Sequence, residues 1–174
     1  MTSRRFFLFE ITYLAGNLSV PRAIEVTAAA LLPWVTAYQA RLIAPAKGVA
    51  TPERRGTLPA TPAEARALLR ELVGWLEAHS AAGTLYTLRL FEPGAEQPTF
   101  DFPDVPHDWS LWLTDEQWRA VQGALRAAGL PADLFYPAEA AICAPWPGQQ
   151  WRDRLLRRLG FQRCFTPRQW RGRN

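Results

Sequence analysis

Apolar residues recur along this chain in short runs, and most runs end at a glycine, a proline or a helix-capping residue. The stretch from Arg5 to Leu14 is rich in Phe, Ile, Tyr and Leu and stops at Gly16 and Asn17, which predicts a buried strand opening a sheet. Ile24, Ala28, Leu31, Val35, Tyr38 and Leu42 follow at spacings of four, three, four, three and four. That stripe predicts a helix kinked at Pro33, or two abutting helices, because proline removes a hydrogen bond and crowds the preceding turn.

Residues 44–61 carry Pro45, Gly48, Pro52, Gly56 and Pro59 with Lys47, Arg54 and Arg55, the composition of a flexible exposed loop. A capping box then appears at Thr61 and Glu64, with Pro62 at the first helical position. Leu68, Leu69, Leu72, Val73 and Leu76 form the stripe of that helix, and Gly83 ends it. Thr84 to Phe91 reads as its partner strand, Pro93 to Pro106 as a proline-rich connection, and Trp109 to Leu113 as another strand.

A second capping box, Thr114 with Gln117, opens a helix whose stripe is Trp118, Val121, Leu125 and Ala128, closed by Gly129. Leu134 to Tyr136 and Ala140 to Ala144 read as short strands. A last helix is predicted from about Gln149 to Leu159, followed by a strand from Phe161 to Thr166. On a helical wheel Trp151, Leu155, Leu156 and Leu159 share one side, and Arg154, Arg157 and Arg158 the other. The pattern therefore predicts an α+β fold in one domain, residues 1–166. Its sheet is mixed or antiparallel with about five strands, and about four helices pack mainly on one face. Residues 167–174 read as a basic C-terminal tail.

Charge changes this picture at one end. Trp151 to Asn174 hold eight of the nineteen arginines and a single acid, Asp153, giving +7, whereas residues 1–150 sum to −3. Lysine occurs only at Lys47, so the preference for arginine resembles the codon bias of a high-GC bacterial genome and only its clustering bears on function. A segregated arginine patch interleaved with aromatics suits phosphates, bases or an acidic protein. The binding residues this points to are Arg154, Arg157, Arg158, Arg168, Trp170, Arg171 and Arg173, with Trp170 set among three arginines for stacking. Their expected partner is nucleic acid or an acidic protein surface. The eight tryptophans add an adaptor reading, a subunit of a larger assembly docking through exposed Trp and Arg.

The acidic loop Asp101, Asp104, His107 and Asp108 is the place for a metal or acid–base site, the third reading being a metal-assisted hydrolase. Glu10 and Glu139 could add carboxylates to it. Aspartates among Pro98, Pro103 and Pro106 are also ordinary turn formers, and no metal-ligand spacing accompanies them. No Gly-x-Ser-x-Gly element and no glycine-rich phosphate loop occurs, so the reading leans away from an enzyme and calls for no cofactor.

The longest uncharged stretch, Val26 to Ala40, is too short to span a membrane and is broken by Pro33. Ser3 to Leu8 look like a twin-arginine export motif, but Glu10 and Asn17 interrupt the apolar run that must follow. The expectation is a cytoplasmic protein with Cys143 and Cys164 as idle thiols, a bridge being possible if their segments pair as neighbouring strands.

Overall fold

The twin-arginine segment is a strand. In the structure, a computed structural model describing residues 3–43, 53–74, 84–103, 108–145 and 162–171, β1 runs Arg4–Phe9 between two neighbours of one sheet. Phe7 and Phe9 point into the core, while Arg4 and Arg5 reach Glu92 and Glu139. The strand is shorter than its apolar run predicts. The Glu10 carboxylate accepts from the Thr12 amide and starts a 3-10 turn over Ile11–Ala15, which takes the remaining apolar residues out of the sheet.

Helix α1 spans Val20–Leu31 and buries Ala23, Ile24, Thr27, Ala28 and Leu31. It does not continue through Pro33 as the stripe predicts. Residues Ala37–Ile43 are strand β2, paired with both of its neighbours, and the 3–4 spacing of Val35, Tyr38 and Leu42 is incidental. The predicted loop 44–61 also holds a strand, β3 at Glu53–Thr57, whose charged sequence suits the sheet edge it occupies.

Helix α2 (Pro62–Gly74) starts at the expected capping box, the Glu64 amide donating to the Thr61 hydroxyl. Strand β4 (Thr84–Phe91) follows. The proline-rich connection contains β5, Phe100–Phe102, which sits in the middle of the sheet. Strand β6 is Ser110–Thr114, and α3, Asp115–Ala127, carries the full Thr114–Gln117 capping box. Gly129, at φ 70°, takes the left-handed conformation that lets the Leu130 amide reach the Leu125 carbonyl at 2.8 Å.

β7 is Phe135–Pro137, and the predicted strand over 140–144 resolves into a 3-10 turn at Ala138–Ala140 and β8 at Ile142–Pro145. β9 is Gln162–Phe165, and a short helix α4 covers Pro167–Arg171. The helix predicted over 149–159 lies outside the described residues.

Among the described residues all strand pairs are antiparallel, and the main sheet has seven strands in the order β3-β2-β4-β5-β6-β1-β7. The strands that the sequence pattern does not predict are β2, β3 and β5. On one face Phe7, Phe9, Leu88, Leu90, Phe100, Phe102, Leu111 and Leu113 form a single core with the buried residues of α1, α2 and α3. Phe7 stacks on Trp118 with centroids 4.2 Å apart, and Trp109 packs between Phe9 and Phe102. Its indole N–H donates to the Pro103 carbonyl at 2.7 Å, which satisfies the polar atom that burial would otherwise strand. No described helix is long and apolar enough to cross a membrane.

Candidate binding surface

The C-terminal segment includes a separate two-stranded ribbon and is fastened to the domain just beyond it. Among the described residues β8 and β9 pair only with each other, in a register that sets Cys143 directly across from Cys164. Cys164 is disulfide-bonded, and Cys143 is the only other cysteine in the sequence. The idle-thiol expectation is therefore corrected. The hairpin register brings the two positions within bridging distance, which their separation of 21 positions in sequence does not reveal.

Beyond β9 the chain turns into α4 through a capping box of its own. The Gln169 amide donates to the Thr166 hydroxyl, and the Gln169 side chain accepts from the Thr166 amide, both at 3.2 Å. Thr166 is buried, and its hydroxyl donates at 2.5 Å to the Glu10 carboxylate, itself only 2% exposed. Glu10 also accepts from the Thr12 hydroxyl at 2.8 Å and from the Arg168 amide at 3.4 Å. One buried carboxylate thus ties the end of β1 to the start of α4, across more than 150 positions of sequence.

Arg168 is exposed, and its guanidinium lies 4.2 Å over the Tyr13 ring. The Tyr13 hydroxyl donates to Asp133. Burial and then the Asp133 hydrogen bond and charge raise the phenol to about 12, against an opposing pull from Arg168, so the ring under the guanidinium stays neutral at ordinary pH. Tyr136, on the neighbouring strand, is raised by burial and by the Glu10 charge.

Of the predicted binding residues, Arg168 is at this junction, and Trp170 and Arg171 belong to α4. Arg154, Arg157, Arg158 and Arg173 lie outside the described residues. The partners that hold the junction, Tyr13 and Asp133, were not expected from the sequence. For Glu10 a signal exists: a lone acid at the end of an apolar strand, followed two residues on by a threonine. Nothing local marks Tyr13 or Asp133, because their roles depend on contacts far away in sequence.

Of the acidic loop only Asp101 and Asp108 are described. Asp101 accepts from Arg89 Nε at 2.9 Å, Asp108 is exposed, and Asp104 and His107 lie outside the described residues. Among the described residues no three metal-ligating side chains come together. Glu139, offered as a further carboxylate, binds Arg5 instead, and its carboxyl is lowered by hydrogen bonding at its own backbone and from Arg5.

The sheet face opposite α1–α3 carries Phe6 and Trp112, half-buried and with ring centroids 6.1 Å apart. The same face carries the Arg89–Asp101 pair and, at the far edge strand, Arg55 with Glu53; Arg4 pairs with Glu92. Burial pushes the Glu92 carboxyl up, but hydrogen bonds from Gln117, Arg4 and Thr99 and the Arg4 charge more than offset it, leaving it below the usual carboxylate range. No protein-family model, no curated protein and no solved structure matches this chain.

Proposed function

We propose that this protein is a non-enzymatic binding module that engages a polyanion, nucleic acid above all, through its arginine-rich C-terminal surface. The observation that carries this reading is the Glu10–Thr166 anchor, which fastens the start of α4 to the sheet and holds Arg168 exposed beside it. A pre-ordered element loses less conformational entropy on binding than a loose tail, so each arginine on it contributes more to affinity. The sequence adds a net charge of +7 within the last 24 residues.

Six or seven arginine–phosphate contacts imply that affinity for a single-stranded oligonucleotide falls by about three decades between about 50 and about 200 mM salt. Fluorescence anisotropy measures this directly. Deleting 167–174 would remove the Arg168 amide from Glu10 and the Gln169 cap from Thr166, so the cleaner perturbation is the pair Arg171→Glu and Arg173→Glu. Affinity should fall at least tenfold with an unchanged melting temperature, and salt-insensitive binding would refute the reading.

A second reading, an adaptor docking on a protein partner, is favoured by the sheet face, where aromatic Phe6 and Trp112 share a face with the Arg89–Asp101 pair. Such an aromatic surface suits a protein interface better than a polyanion. Trp112→Ala should leave oligonucleotide affinity unchanged and abolish co-purification of a partner if this reading holds.

A further inference from the structure

Where the end of α1 approaches the start of α2, the surface holds a pocket of about 410 Å³. Its floor is apolar: Val35, Leu58 and Ala65 are buried, and Ala30 and Leu32 form part of the wall. The small side chains Ala30 and Ala65, from two different helices, both line it. Its size falls in the range of small-ligand sites, about 300–1,000 Å³.

Among the described lining residues Arg66 is the single charged one. It is exposed, and no carboxylate among the described residues pairs with it. Arg66 and Ala29 also line a shallower groove of about 630 Å³ that runs on between α1 and α2. The two other arginines of that groove are engaged. Arg22 donates to the Ala128 carbonyl at 2.9 Å, and Arg70 lies 3.7 Å from Glu25. Arg66 therefore brings a planar fork of donors, suited to a carboxylate or phosphate, to the mouth of an apolar chamber.

We infer that this pocket binds a small amphiphilic anion, an unbranched acyl or alkyl chain in the chamber with a carboxylate or phosphate head on Arg66. Each half of the site matches one half of such a molecule. A polynucleotide has no aliphatic chain to fill the chamber, and a neutral apolar ligand leaves Arg66 unused. The site stands apart from the C-terminal surface, so the two readings fail independently.

The test is isothermal titration calorimetry with octanoate and octyl phosphate, against octanol and acetate as probes lacking the head charge or the chain. Saturable 1:1 binding of either anion is expected, with the better of the two identifying the head group. Each methylene added to the chain should tighten binding about three- to fourfold. Arg66→Gln should weaken the anions at least tenfold and leave octanol unchanged, and Arg66→Lys should recover part of the loss. Ala30→Phe, at a half-buried wall position, should block both anions while the melting temperature is retained. Absence of saturable binding, or wild-type affinity in Arg66→Gln and Ala30→Phe, would overturn the inference.

Discussion

Removing the Glu10 carboxylate should free the C-terminal segment without unfolding the domain. In Glu10→Ala the hydroxyls of Thr12 and Thr166 and the amide of Arg168 lose their acceptor. A buried donor left without a partner costs about 1–3 kcal/mol. Thr12 is half-exposed and water can replace its bond, so the cost falls mainly on Thr166, which is 7% exposed. The longer Arg168 and Thr12 amide bonds, each 3.4 Å, add less than one full bond between them. The docking should therefore weaken by about 2–4 kcal/mol. At about 1.4 kcal/mol per decade, the open population rises about 30- to 700-fold. When reclosing outpaces cleavage, tryptic cutting after Arg168 follows that population. The assay is the rate of loss of the C-terminal fragment by mass spectrometry, beside a urea melt of the core. Glu10→Gln, which keeps one carbonyl acceptor, should recover roughly half of the protection. A cleavage rate in Glu10→Ala within twofold of wild type would show that Glu10 does not hold the segment.

Reducing the disulfide, or Cys164→Ser, opens a loop spanning 21 positions. The chain-entropy relation puts the loss at about 3 kcal/mol, read as faster amide exchange in β8 and β9, and unchanged protection would refute it. Leu125→Ala, at a fully buried position of α3, should cost about 2–5 kcal/mol in a denaturant melt, and a loss under 1 kcal/mol would contradict the packing. Because the folded Glu92 carboxyl is lowered, its stabilisation is present above the unfolded value of about 4.3 and is lost as pH falls below it. Wild type should thus lose stability on acidification more steeply than Glu92→Gln in melts recorded across that range. Tyr13 runs the other way: raised to about 12, it favours the fold below pH about 10 and loses that contribution as pH climbs between the two values. Phenolate absorbance in wild type minus Tyr13→Phe should titrate near the upper one.

Elements whose signals are local were legible in the sequence, and those fixed by neighbours were not. The capping boxes at Thr61 and Thr114 put α2 and α3 where they stand, since each cap needs only residues three apart. Phe100–Phe102 is a three-residue strand after Pro98 and before Pro103, too short to show a period, and it exists because β4 and β6 pair with it on both sides. Glu53–Thr57 reads as loop because an edge strand with charged side chains resists further pairing. The stripe from Ile24 to Leu42 shows the converse error. Its spacing fits a helix throughout, yet beyond Pro33 the backbone gains more by pairing with β3 and β4 than by continuing a helix without the proline's hydrogen bond.

The charge asymmetry seen in the sequence takes a sharper form once the ion pairs are located. Across the body of the domain arginines meet carboxylates: Arg4, Arg5, Arg54, Arg55, Arg70 and Arg89 each stand against a Glu or Asp. The arginines in these pairs are thus neutralised locally, and such pairs project little field beyond a Debye length of about 8 Å. Arg168 differs in kind, because its guanidinium rests on a ring that stays neutral up to about 12. A cation held on a π face keeps its net charge, whereas one held by a carboxylate does not. If the neighbouring arginines of the C-terminus are likewise uncompensated, the potential there exceeds what the overall charge of +4 implies, and ionic strength becomes the variable that separates the polyanion reading from the adaptor reading.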